Sequence, residues 1–200
     1  MGALRSWKNL GPKSKQGPSF PRRTSDRWPE LLLDTCVYID GLQGRAPDSV
    51  ADLLDIRLSN HSSIAVQELM DTMGVLDPKH PSTNAAIRQI KKVIEAMRSH
   101  RIFVPDLDVL GQAALLSGTL CRLQGYQRDA RLRALPDCTL FLQAQKLGLT
   151  VLTANVSDFD YLLQLIPTGK VIFYAPKIRR SLRGQLKSRA AFSLRLVELL

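Results

Sequence analysis

The sequence predicts an α/β domain with a mainly parallel central sheet of four to five strands, and three observations lead there. Short apolar runs recur at about residues 31–36, 61–65, 101–105, 149–153 and 170–174. Segments with apolar residues at helical spacing lie between them, and clusters of Gly, Pro, Asp and Ser punctuate the alternation. Strands that alternate with helices favour parallel pairing, because each crossover helix must cover the sheet it leaves.

The elements follow in chain order. Residues 1–28 are rich in Gly, Pro, Ser, Lys and Arg, and Gly11-Pro12, Gly17-Pro18 and Phe20-Pro21 break any periodicity, so this segment reads as an arm without stable structure of its own. Leu31-Leu32-Leu33-Asp34-Thr35-Cys36 reads as the first strand, buried and ending on a carboxylate. Gly41 to Pro47 forms a turn, and Asp48-Ser49 can cap a helix carrying Val50, Leu53, Leu54 and Leu58. A second strand at His61–Ala65 runs into a helix over about Val66–Val75, with Glu68 on its first turn. Ser82 begins a long helix with Ile87, Ile90, Val93, Ile94 and Met97 on one face. A third strand over Arg101–Pro105 leads to a helix from Asp106–Asp108 through about Leu123. After a basic interval containing Arg122, Arg128, Arg131 and Arg133, Leu135-Pro136-Asp137 opens another helix, since proline's fixed φ suits an early position. Gly148 ends that helix, Leu149–Thr153 forms the fourth strand, Asp158–Leu165 a short helix, and Lys170–Tyr174 the fifth strand. The expected organisation is a basic arm over 1–28, one domain over 29–176 and a basic tail over 177–200. That tail can form an amphipathic helix from about Leu186, with Ala190, Leu194 and Val197 spaced to match.

Composition narrows the function classes. With 200 residues and 44% apolar content the chain can bury a real core. No apolar run approaches the ~20 residues that span a bilayer, and the N-terminal segment lacks the continuous apolar stretch of a signal peptide, so a cytoplasmic protein is expected. Cys36, Cys121 and Cys138 are odd in number and widely spaced, which reads as reduced thiols without a disulfide framework or zinc site. His61, His80 and His100 lie in unrelated contexts and offer no triad. The net charge of +10 is concentrated at the ends: residues 1–28 hold seven Lys/Arg against Asp26, and residues 176–200 hold seven against Glu198. The 14 basic and 16 acidic residues between them leave a mildly acidic middle. The ends are candidate contacts to a phosphate backbone, or simply solvated tails.

In an open parallel sheet the ligand crevice lies beyond the carboxyl ends of the strands. Asp34 closes strand one, Glu68 follows strand two, Asp137 opens a helix, and Asn155 and Asp158 follow strand four. Each has a plain structural explanation. Asp34 can cap a turn, Glu68 and Asp137 can favour a helix dipole by ~0.3–1 kcal/mol, and Asp158 can be an N-cap. Their joint placement at strand exits is what separate caps would rarely produce. Clustered carboxylates stay ionised together when a cation is present, and hard oxygen ligands select Mg²⁺ or Mn²⁺.

These residues also carry a resemblance. Leu33-Asp34-Thr35 with Val37-Tyr38-Ile39-Asp40, Ser63-Ile64-Ala65-Val66-Gln67-Glu68-Leu69, Leu135-Pro136-Asp137-Cys138 with Ala144, and Leu152-Thr153-Ala154-Asn155 with Asp158-Phe159 stand in the order of a PIN-domain ribonuclease. The chain is most similar to VapC-type toxins of bacterial toxin–antitoxin pairs over about Leu31–Ala175. The resemblance implies a PIN-like three-layer α/β/α fold and Mg²⁺- or Mn²⁺-dependent RNA cleavage. It implies a homodimer and a small antitoxin whose tail covers the acidic groove. Asp34, Glu68 and Asp137 match the family's metal-binding acids. Asn155 falls on the fourth position, Asp158 where the family often has a further acid, and Thr35 and Thr153 beside the site. Asp34, Glu68, Asp137 and Asp158 are the expected catalytic acids, and Arg22, Arg23, Arg128, Arg131, Arg133, Arg179 and Arg180 the candidates for the RNA backbone. Cys36 departs from the Asn more usual after Asp-Thr and removes a polar group there. An Asp-x-Asp phosphatase would need an acid where Cys36 stands, and a phosphoacceptor receiver would need adjacent acids near strand one and a late Lys. The remaining alternative is a catalytically silent PIN-type module that binds RNA or protein.

Overall fold

Three consecutive leucines fully removed from solvent, Leu31–Leu33, form the central strand β1, and every other layer is placed by them. The computed structural model describes residues 28–125 and 128–177, and for 128–133 the backbone only. Strands β2 (Ser59–Ser62), β3 (Ile102–Phe103), β4 (Thr150–Thr153) and β5 (Val171–Phe173) join β1 in one five-stranded sheet of order β3-β2-β1-β4-β5, all parallel. The helices are α1 (Thr35–Leu42), α2 (Asp48–Ile56), α3 (Ser63–Val75), α4 (Thr83–Ala96), α5 (Leu107–Gln124), α6 (Arg128–Leu147) and α7 (Val156–Leu165), with a 3-10 turn at Ser99–Arg101. The predicted fold class is therefore the observed one: three layers, α/β/α, around a parallel sheet.

Alternation along β1 divides the core. Leu32 and Val151 point to one face, where Val109 and Ala113 of α5, Cys138 and Phe141 of α6, and Phe159 and Leu162 of α7 close over them. Leu31, Leu33 and Leu152 point to the other, against Cys36 and Val37 of α1 and Val50 of α2. A third cluster of Ile39, Leu69, Ile90 and Met97 ties α1 to α3 and α4. All three cysteines are buried and free, and no helix among the described residues is long and apolar enough to cross a membrane.

Several boundaries differ from the sequence reading, each for a local reason. The first strand stops at Leu33 rather than Cys36, because Asp34 takes the N-cap position of α1 and the chain turns at once into helix. The second strand comes earlier, at Ser59–Ser62 rather than His61–Ala65, and Ser62 caps α3 by accepting a hydrogen bond from the Ile64 amide. Glu68 therefore lies in the second turn of α3, not the first. Asp137 does not open a helix. Helix α6 begins at Arg128 and carries Pro136 inside it. A proline there gives no hydrogen bond to the carbonyl four residues before, and the surrounding core face of α6 keeps the helix continuous. Asn155 rather than Asp158 stands at the N-cap of α7, with Asp158 in its first turn. Gly125 and Gly148 adopt positive φ of 62° and 71° just after α5 and α6, which lets the chain leave each helix in the left-handed region. The arm over 1–28 except Trp28, and the tail beyond Lys177 with its expected helix, lie outside the described residues.

Gly169 gives the fold a steric test. A Cβ added there would sit 2.2 Å from Cζ of the buried Phe141 ring. Phe141 is held between α7 and the sheet and cannot yield freely. Gly169→Ala is expected to destabilise the domain by about 1–3 kcal/mol, as overpacking of a core does, read as a lower urea midpoint. An unchanged midpoint would show that the Phe141 ring has room to move.

Candidate functional site

The strand order reverses at β1. The chain runs outward from β1 through β2 to β3, then crosses back to lay β4 on the other side of β1. Crevices in parallel sheets form at such switch points, where neighbouring connections leave in opposite directions. The carboxyl ends of β1 and β4 are Asp34 and the segment Thr153-Ala154-Asn155, and the ladder continues to the edge through the Asp34 amide on the Leu152 carbonyl (3.1 Å). Asp34 is 6% exposed. Its Oδ2 accepts hydrogen bonds from Thr153 Oγ1 at 2.5 Å and from the Cys36 thiol at 3.0 Å.

Each remaining acid reaches this edge from a different helix. Thr35, the first residue of α1, donates to Glu68 Oε2 of α3 at 2.5 Å. Asn155 Nδ2 donates to Asp137 Oδ2 of α6 at 3.0 Å and to Asp158 Oδ2 of α7 at 2.8 Å, so one amide joins two carboxylates. The Asn155 amide N–H is in turn fixed on Thr153 Oγ1 at 2.9 Å. Asp34, Thr35, Glu68, Asp137, Thr153, Asn155 and Asp158 thus lie in one hydrogen-bonded neighbourhood in two parts: Asp34 with Thr153, Asn155, Asp137 and Asp158, and Glu68 with Thr35.

The electrostatics tie the two parts together. Enclosure pushes the Asp137 carboxyl well above its ordinary value, and the charges of Asp34, Glu68 and Asp158 push it further. Burial likewise raises Asp34, against the lowering effect of the hydrogen bonds from Thr153 and Cys36. Glu68 is pushed up to about 7, first by burial, then by the charges of Asp34 and Asp71 against the Thr35 hydrogen bond. Four carboxylates that feel one another in a low-dielectric edge match the donor chemistry of a hard divalent cation. In the present side-chain arrangement each acid is held by its own hydroxyl or amide. Among the described residues no three Asp, Glu, His or Cys side chains converge closely enough to close on an ion.

Two features had no signal in the sequence. Cys36 does not leave the Asn position empty of polar contacts: its sulfur accepts the Ala154 amide N–H at 3.1 Å while its thiol donates to Asp34. It therefore pins the end of β4 to the end of β1. Behind it, the hydroxyl of Tyr174 donates to the buried Asp40 at 2.9 Å, and Arg45 closes an ion pair on the same carboxylate at 2.7 Å. That brace locks the residue after β5 against α1. Only the order Asp40…Arg45 could have hinted at it, as a pair five apart across the end of α1. Of the backbone candidates, Arg128, Arg131 and Arg133 fall in the first turns of α6 with side chains outside the described residues. Arg22, Arg23, Arg179 and Arg180 lie outside them altogether.

The fold is shared with solved structures. The chain superposes on one in the crystal structure of FitAcB from Neisseria gonorrhoeae with TM-score 0.52 and 20% sequence identity, over 72% of this chain and 96% of that one. It matches DNA-bound VapBC from Salmonella typhimurium with TM-score 0.51 and 17% identity, over 73% and 98%. FitAB bound to an IR36 DNA fragment gives 0.50 and 21%, over 72% and 94%. These likenesses establish a PIN-like fold. No protein-family model and no curated protein sequence matches the chain.

The raised Glu68 carboxyl makes a pH-dependent prediction. Below about 4.5 the group is protonated folded and unfolded; as pH rises to about 7 the unfolded chain ionises first, so stability falls across that window. In chelator, Glu68→Gln should therefore match wild type near pH 4 and exceed it by about 1–3 kcal/mol at pH 8, the range a half-buried carboxyl of this shift allows. Urea midpoints at both pH values read the difference. An equal gain at both would remove electrostatic strain as its cause.

Proposed function

We propose that the chain is a metal-dependent endoribonuclease that hydrolyses RNA phosphodiester bonds, acting as the toxin of a toxin–antitoxin pair. The observation that carries this reading is the Asp137 carboxyl, raised by three other acids delivered to one sheet edge by different elements. Helix caps alone give no reason for such convergence. The residue types fit Mg²⁺ or Mn²⁺, with Asp34 and Asp137 as direct ligands and Glu68 with Asn155 or Asp158 completing the shell directly or through water. When bound, such an ion acidifies a coordinated water and offsets charge on the leaving oxygen. The chain's own residues do the positioning. Thr153 and Cys36 hold Oδ2 of Asp34, Thr35 holds Oε2 of Glu68, and Asn155 keeps Asp137 and Asp158 in reach of one another. Glu68, near 7, can hold or release a proton at Oε at working pH.

The toxin assignment is supported by the sequence resemblance to VapC-type toxins and by a fold shared with chains in VapBC and FitAB structures. It brings with it a small antitoxin partner, a homodimer and a cytoplasmic setting. The basic ends supply long-range attraction to phosphate that the mildly acidic middle lacks. One observation favours the silent RNA- or protein-binding module instead: three ligands do not converge among the described residues. A cleavage assay on single-stranded RNA with added Mn²⁺ and with chelator separates the two.

Asp34→Asn and Asp137→Asn are each expected to lower cleavage by at least about a hundredfold, since removing a metal ligand or its support costs that much, while the fold is kept or stabilised. Wild-type rates in both variants would contradict the site. For the fourth position, Asp158→Ala should weaken apparent metal affinity more than Asn155→Ala, because a charge acts on a dication across a water and a neutral amide contributes less. Metal titrations in the reverse order would give the position to Asn155.

A further inference from the structure

Helix α5 buries Val109, Ala113, Ser117, Leu120 and Cys121 and turns the opposite side to solvent. That outer side carries Leu107, 86% exposed, and Leu115, 76% exposed, together with Leu110, Gly111, Ala114 and Gly118. These six positions form one stripe over three turns, at i, i+3, i+4, i+7, i+8 and i+11 from Leu107, and none is charged. A Cβ built on Gly111 or Gly118 meets nothing within 4 Å, so the fold itself gives no reason for either glycine. Glycine in a helix interior is unfavourable relative to alanine. A face that spends two glycines and exposes two leucines is shaped for something outside the monomer.

We infer that this α5 face is the surface through which two copies of the chain pair, antiparallel about a two-fold axis passing between Gln112 and Ala113. The inference rests on the homodimer of the proposed function and names its surface. The stripe is self-complementary in that register and in no shifted one. Leu107 of one copy falls opposite Gly118 of the other, a large side chain over an open backbone, and the symmetry repeats this at the far end. Gly111 and Ala114 share the level nearest the axis, where small residues let two backbones approach. Leu110 and Leu115 stand at one level on opposite flanks and close the sides. Charge agrees with shape. Arg122 ends the stripe and makes no hydrogen bond or ion pair among the described residues, whereas Asp106 and Asp108 begin the helix and remain more than half exposed beside Lys146. Antiparallel pairing brings each Arg122 toward the acidic start of the other α5.

Sedimentation velocity of the full chain over a concentration series tests this. The expected result is a dimer whose Kd rises by roughly a hundredfold or more in Leu115→Glu, as loss of a central apolar anchor does. Gly118→Gln serves as the partner test: the site is open in the monomer, so far-UV circular dichroism should be unchanged while the dimer weakens, because the new side chain meets Leu107 of the other copy. A dimer that persists in both variants would overturn the α5 face while leaving self-association standing. A wild-type chain that stays monomeric at every concentration would overturn the face and the homodimer together. Neither outcome bears on RNA cleavage, which is read separately.

Discussion

Asp34 lies at the carboxyl end of β1 with its carboxylate buried, and its Oδ2 is shared by Thr153 from the next strand and Cys36 from the first turn of α1. Burying a carboxylate is unfavourable unless it is hydrogen-bonded, neutralised or paired. The two donors here are neutral and cannot cancel the charge. Everything nearby follows from that constraint. Thr153 must present its hydroxyl at the β4 exit, which turns the chain so that its Oγ1 also receives the Asn155 amide. Asn155 then stands where its side chain can bridge Asp137 and Asp158. The seam between β1 and β4 thus fixes the acids of two further helices by a chain of hydrogen bonds, without contact between the carboxylates themselves.

The topology explains why the seam lies there. With order β3-β2-β1-β4-β5, the connections leaving β1 and β4 pass to opposite faces of the sheet, and the edge between them stays uncovered. The edge is stiffened from behind. Tyr174 continues the β4–β5 ladder through its amide on the Thr153 carbonyl and reaches Asp40 with its hydroxyl, while Arg45 neutralises that carboxylate. Asp40 is therefore a buried acid with a cationic partner, and Asp34 is a buried acid without one. That contrast separates a structural carboxylate from one that has use for a cation.

The layers and strand sequence were legible because three adjacent leucines and the apolar run at 149–153 admit little but buried strands, and the helices between them keep clear periodicity. Helix α1 was not legible. Thr35-Cys36-Val37 reads as a continuation of the strand, and only the N-cap position of Asp34 turns it into a helix. The start of α6 was misplaced because Pro136 is an ordinary early-helix residue in sequence, whereas tertiary packing of Cys138, Phe141 and Ala144 outweighs its missing hydrogen bond. The acids themselves were legible as types at strand exits. The hydroxyl and thiol contacts that orient them depend on register across β1 and β4, at a separation of more than one hundred residues, and no local pattern encodes that. The bare face of α5 was equally hidden, since exposed and buried leucines of one helix look alike until the other layers are in place.

The central claim is that these carboxylates repel one another in the empty edge and that a hard dication relieves the repulsion. If so, Mg²⁺ binding must expel protons held by the raised acids. Isothermal titration of Mg²⁺ into the full chain, in two buffers of different ionisation enthalpy, measures this directly. The account predicts net proton release per ion near pH 6.5, where Glu68 at about 7 is still largely protonated, and a smaller release at pH 9. Binding without proton release at pH 6.5, or no Mg²⁺ binding at either pH, would contradict it.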